Sequence, residues 1–288
     1  MNNKRRLFST LLCVAALTAG LFVSGCGSDK AGGIGSVVSS VVDGGSDEKA
    51  AAKLNTLIDA TNNFNGDNAT WGQNYADSLA KLKGGFQEGA IGRQPHYDTL
   101  KDALEKSKKE GSTFKEVDTE RDNVLNVLNE LVPTFKDLKA YDDSKAYMND
   151  GGAKGKELAA KYVAQVEKFD AAYAKFNDAL NKANTEQTKK QIEKLKKDGK
   201  KGYAAAMEST LRLTTLVENV EKSPKNADKQ AVEKELNEIQ TLLKSINNDR
   251  GEVLVNSYNS VVGSVRQVLN DANENNLNDM IENFNNYI

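Results

Sequence analysis

Two cysteines, Cys13 and Cys26, and one histidine, His96, are the only thiols and imidazole in the 288-residue chain. A single histidine excludes any multi-histidine metal centre, and the zinc sites built from Cys and His need more such ligands than this chain carries. Ser-His-Asp chemistry would have to run through His96, which follows Pro95 in a loop-like stretch, and no G-x-S-x-G nucleophile elbow is present. Asp142-Asp143 and Asn149-Asp150-Gly151 are the places where oxygens could gather around calcium, but the EF-hand spacing is missing and they read as turns or helix caps. Gly151-Gly152-Ala153-Lys154-Gly155-Lys156 has phosphate-loop residue types. A P-loop needs four residues between its glycines, Ser or Thr after the lysine and a strand ahead; here Glu157 follows, so the segment reads as a turn between helices. These readings leave no catalytic residue, no metal ligand and no cofactor.

Cys26 is the remaining candidate. Lys4, Arg5 and Arg6 open the chain, an apolar run from Leu7 to Val23 follows, and it ends in Val23-Ser24-Gly25-Cys26. Charged start, apolar middle and small residues at the end form the pattern of a secretory signal. The run is near the length of a short membrane span, so a retained anchor helix is the competing reading. Small residues followed at once by Cys resemble the lipobox of bacterial lipoproteins. The resemblance implies a diacylglyceryl group on the Cys26 thiol, cleavage ahead of it and acylation of the new amine. Residues 1–25 are then a signal peptide, and Cys26 is the lipid attachment site. Cys13 leaves with the leader, so the mature chain has no disulfide, although its compartment can be oxidising.

Such cleavage removes three basic residues and leaves 36 against 41 acidic ones in 263 residues. A nucleic-acid binder would carry a basic excess, so nucleic acid is not an expected partner. The basic stretch is local: Lys189, Lys190, Lys194, Lys196, Lys197, Lys200 and Lys201, diluted by Glu186, Glu193 and Asp198. It reads as a solvated helix face, with contact to anionic lipid or an acidic polymer as the alternative.

Residues 26–47 are dominated by Gly and Ser, with Val37-Val38 and Val41-Val42 as apolar pairs. They are expected to form a flexible tether with a root-mean-square reach of roughly 25 Å. From 48 to 288 the apolar spacing is helical. Leu54, Leu57, Ile58 and Phe64 predict a helix ended by Asn65-Gly66; Trp71, Tyr75, Leu79 and Leu82 predict a second, closed by Gly84-Gly85. A short helix carries Tyr97, Leu100 and Leu104. Thr113 and Glu116 suggest a capping box ahead of Val117, Val124, Leu128, Leu131, Phe135 and Leu138, and Pro133 predicts a bend or restart near Leu131. Leu158, Tyr162, Val166, Phe169, Tyr173, Phe176 and Leu180 follow a 3.5-residue seam. Breaks are expected at Gly199 and Gly202 and at Ser223-Pro224. The last helix is expected to run from Leu254 through Ala272 and on to Phe284. No alternating run is present, so the fold class is all-α: an elongated antiparallel bundle of long heptad-patterned helices behind a signal peptide and tether.

The stretch Leu131-Val132-Pro133 through Tyr141, Tyr147, Asp150 and Ala153-Lys154-Gly155-Lys156-Glu157-Leu158 resembles the YiiG-like family of bacterial lipoproteins, as do Lys197-Asp198-Gly199-Lys200 and the Leu54-Asn55 helix. The family pattern has a histidine after the leucine where this chain has Ala159, which leaves no polar side chain there. The resemblance spans roughly 48–288 and implies a helical lipoprotein whose activity is unknown. The expected protein is membrane-anchored through lipid on Cys26, on the extracytoplasmic side of a cell envelope. It is expected to be a non-enzymatic binder or scaffold with an envelope protein or polymer as partner. The alternatives are a carboxylate-dependent envelope enzyme acting on a glycan, which needs two facing acids, and a small-ligand receptor with an aromatic pocket. Gly27, rather than Asp, after the lipidated Cys points to the outer membrane in an organism with two.

Overall fold

The computed structural model describes residues 46–92, 94–111, 114–246 and 249–287. The expected signal peptide, Cys26 and the tether up to residue 45 lie outside them, as does Thr113. All regular structure among the described residues is helical: α1 (Ser46–Lys83), α2 (Tyr97–Lys109), α3 (Lys115–Asp143), α4 (Tyr147–Asp150), α5 (Ala153–Lys197), α6 (Lys201–Lys222), α7 (Lys229–Lys244), α8 (Asp249–Asn270) and α9 (Glu274–Tyr287). The chain divides into two compact units. Of the described residues, 56–181 make the first, and 46–55 with 182–287 make the second.

In the first unit, α1, α2, α3 and α5 turn their seams inward. Phe64, Tyr75, Leu79 and Leu82 from α1 are buried with Leu100 and Leu104 from α2, Val124, Leu128, Leu131 and Leu138 from α3, and Tyr162, Phe169, Tyr173 and Phe176 from α5. The helix end expected at Asn65-Gly66 and the restart expected near Leu131 do not occur. Helix α1 continues through Asn65-Gly66 to Lys83. A mid-helix glycine costs only about 1 kcal/mol, and Phe64 before it and Tyr75 further along the helix are buried; Asn65 Oδ1 also accepts the Tyr173 hydroxyl at 3.0 Å. Helix α3 likewise continues through Pro133 without a restart. Proline there removes one backbone donor at a cost of about 3 kcal/mol, but Leu128 and Leu131 before it and Leu138 and Tyr141 after it are all buried. The cap of α3 falls on Phe114, with no side-chain bond, in place of the expected Thr113 box.

In the second unit, α6 packs on α7, α7 on α8, α8 on α9, and α9 returns to α6, so the four close on one another. Leu213, Val217, Ile239, Leu243, Val261, Val265, Met280 and Phe284 fill the space between them. Asp228 caps α7, its Oδ1 accepting from the Gln230 and Ala231 amides. The guanidinium of Arg212 on α6 lies 2.6 Å from Glu235 and reaches Glu238 as well, both on α7, and Arg266 on α8 pairs with Glu233 at 2.7 Å. The expected last helix is two. Asn273 Oδ1 accepts the Asn276 amide at 2.9 Å, and Asn276 Nδ2 reaches back to the Asp271 carbonyl. These short polar side chains offer the backbone partners outside the helix, which ends α8 and starts α9.

Candidate functional site

The residues that drew attention in the sequence are used in building turns. His96 is exposed at the N-cap of α2, where its backbone carbonyl accepts the Leu100 amide at 3.1 Å. Asp143 pairs with Lys139 one turn back in α3, at 2.9 Å. Gly151 and Gly152 take φ of +63° and +83° between α4 and α5, a left-handed region that glycine enters without steric cost.

Asp150 receives three donors across that turn. The Tyr141 hydroxyl lies at 2.5 Å and the Gly152 amide at 2.9 Å from Oδ1, and the Lys154 amide lies at 3.0 Å from Oδ2. The Tyr141 hydroxyl, and then the Lys154 and Gly152 amides, hold this carboxyl below its ordinary pKa. Gly155 follows inside α5, where a Cβ would stand 2.5 Å from Phe86 Cγ and 2.6 Å from Tyr141 Cε1. The glycines and Asp150 of this block therefore fix where α5 starts and how closely Phe86 approaches it. Among the described residues, no group of three or more His, Cys, Asp or Glu side chains is arranged to hold a metal ion.

A polar cluster lies deeper in the first unit. The hydroxyls of Tyr75 and Tyr97 are 2.9 Å apart, and the Tyr162 hydroxyl donates to Gln94 Oε1. All three rings are buried, and loss of water pushes each phenol well above its ordinary pKa. Ser78 fastens the connection after α1, donating to the Ala90 carbonyl at 2.7 Å and accepting the Gly92 amide at 2.8 Å. Asp170 faces the same region from α5. Burial raises it to about 6, against the attraction of Lys83 and with the help of Glu167. Lys83 and Glu167 meet each other at 2.9 Å.

Gln165, 4% exposed, has neither amide atom hydrogen-bonded. Beside this cluster the aromatic rings pack on one another. Phe64 lies 5.3 to 5.8 Å from Tyr97, Phe169 and Tyr173, and Tyr97 lies 4.9 Å from Phe169. Tilted and edge-on contacts at these spacings are those of a filled core.

The second unit has its own raised acid. Burial, with Glu218 nearby, brings Glu221 on α6 to about 7. Residue type and spacing alone do not single out Asp170 or Glu221. The available signal was an acid flanking a seam: Asp170 lies between Phe169 and Tyr173, and Glu221 directly follows Val220.

The lysine run lies at the end of α5 in the second unit. Lys196 is held by Glu208 of α6 at 2.8 Å. Lys189, Lys190, Lys194 and Lys197 are exposed, make no ion pair among the described residues, and with Glu193 and Asp198 line an open hollow of ≈ 450 Å³. No helix of the described residues is long and apolar enough to cross a membrane.

A protein-family profile described as "Protein of unknown function (DUF3829)" matches residues 48–285. No curated protein and no solved structure matches the chain.

Proposed function

The chain belongs to the DUF3829 family of proteins of unknown function, and from that premise we propose that it is a YiiG-like lipoprotein acting as a non-enzymatic binder or scaffold of the cell envelope. Lipid on Cys26 anchors it on the extracytoplasmic side, and residues 48–288 are the working domain. The observation that carries a binding role is the use made of the block from Tyr141 to Gly155. Its carboxylate caps α5, its glycines permit the turn, and its tyrosine donates to the cap. Residues with the chemistry for catalysis or phosphate binding are thus already engaged in building the fold.

The carboxylate-enzyme alternative needs two acids facing each other across a cleft. Support for it is thin: the acid beside Asp170 is Glu167, and the acid beside Glu221 is Glu218, each one turn away on the same helix. The small-ligand alternative needs open space between aromatic rings, whereas these rings touch one another.

Two measurements test the reading. Mass spectrometry of membrane-extracted protein should find acyl groups on Cys26, and Cys26→Ala should leave precursor or shed protein. A free thiol at Cys26 in the wild type sinks the lipoprotein claim. Crosslinking in intact cells should then recover an envelope protein or polymer attached to the domain. Turnover of an envelope glycan by the purified protein, lost on Asp170→Asn, would replace the binder with an enzyme.

A further inference from the structure

The charge of this chain is unevenly placed. Its formal net charge is −2, yet residues 189–201 hold seven lysines against Glu193 and Asp198, a local +5. One of the seven, Lys196, is neutralised by Glu208. Lys189, Lys190, Lys194 and Lys197 project from α5 with no carboxylate within ion-pair distance among the described residues, around the hollow of ≈ 450 Å³.

We propose that this end of α5 is a docking surface for an anionic lipid bilayer, the one to which the chain is itself tethered. The geometry favours a surface over a discrete ligand. Every residue lining the hollow comes from one helix. Lysine ammoniums on flexible four-carbon stems act as point charges and make no rigid fork. No backbone amide or buried polar group from a second element joins them, so nothing pre-organises a single phosphate. A field of mobile headgroups needs no such organisation, because each lysine finds its own partner.

Proximity then makes weak attraction sufficient. This step rests on the lipid anchor proposed above. Nineteen residues lie between Cys26 and Ser46, a chain that reaches at most about 70 Å. Ser46 and the lysines belong to the same compact unit, so the tether that enters the fold there keeps the basic face near the bilayer at high effective concentration. A lysine near an anionic membrane gains about a factor of five in partitioning. Four lysines, discounted for Glu193 and Asp198, give roughly 25-fold.

The test uses the mature chain from residue 26, carrying Cys26→Ala so that no acyl group contributes. It is co-sedimented with vesicles of phosphatidylcholine alone and with vesicles containing phosphatidylglycerol. Binding should appear only with phosphatidylglycerol and should fall as salt rises from 50 to 500 mM. Replacing Lys189, Lys190, Lys194 and Lys197 with Gln removes all four charges and leaves Glu193 and Asp198, so binding should fall by more than about 25-fold while circular dichroism stays unchanged. A Lys→Arg quadruple variant, which keeps the charge, should restore it. Equal binding to both vesicles, no binding, or an unchanged Gln variant overturns the proposal. Retention by a soluble polyphosphate with none by vesicles also overturns it, in favour of a polymer. Because the protein carries no lipid here, failure of the docking surface is separate from failure of the anchor, which the mass of Cys26 decides.

Discussion

At the scale of single residues, two carboxyls in the first unit are tuned in opposite directions by their surroundings. Asp150 faces donors and is held low, so its contribution to stability is present above its ordinary pKa and is lost as pH falls through the lowered value. Asp170 faces burial and is raised from 3.8 to about 6. Between those values the folded chain holds a proton that the unfolded chain has released, so stability falls as pH rises through this window. At pH 7.5 the buried charge costs about 2–3 kcal/mol. Asp170→Asn removes the charge and keeps the shape. Urea unfolding should show the variant more stable by about 2 kcal/mol at pH 7.5 and nearly equal to wild type at pH 4. A difference that persists undiminished at pH 4 would assign the effect to packing.

At the scale of elements, helices were legible wherever burial was apolar. The seam of α5 from Leu158 to Leu180 is buried at every predicted position, because aliphatic and aromatic side chains announce their burial in their type. Beyond Leu180 the buried face of α5 includes Asn184, Gln187 and Thr188, which hydropathy assigns to solvent. Breaks were misread for a related reason. Gly66 and Pro133 weaken a helix locally by amounts that buried neighbours outweigh, whereas Asp271 to Asn273 stop one by offering hydrogen bonds outside it. Of the candidate site, the lysine run and the Asp150 turn could be read directly. The tyrosine cluster could not, since Tyr75, Tyr97 and Tyr162 come together only when three helices meet.

The polar part of α5 has a period of its own. Asn177, Asn184 and Gln191 stand seven residues apart, the spacing at which a coiled-coil seam carries the buried amide that sets register at a cost in stability. Asn177 is 7% exposed and neither atom of its amide is hydrogen-bonded. An unpartnered buried polar group costs about 1–3 kcal/mol. Asn177→Leu has the same branching and heavy-atom number and should raise stability by roughly 1–2 kcal/mol, read as a higher urea midpoint at unchanged slope. A lower midpoint would show that the amide is satisfied in solution.

At the scale of the whole molecule, the proposed anchor would decide which surface the helical domain faces. If Cys26 is acylated, residue 27 becomes the first side chain after the lipid. In enteric-type envelopes Asp at that place favours retention in the inner membrane, and here it is Gly27, with Asp29 two positions beyond. The expected destination in a two-membrane host is the outer membrane; with one membrane, the proposed anchor would lie in its outer leaflet. The proposed docking surface adds a second requirement, because the leaflet reached would have to present anionic headgroups for α5 to dock. The two effects are separable. Gly27→Asp should shift the protein to fractions with inner-membrane markers without altering its binding to anionic vesicles. The four Lys→Gln changes should leave fractionation unchanged while they weaken vesicle binding and increase protease access to the domain in whole membranes. Wild-type protein found with inner-membrane markers would refute the sorting argument and leave the docking surface standing. A Gln variant that changes membrane would show that the lysines act in sorting itself, before any docking occurs.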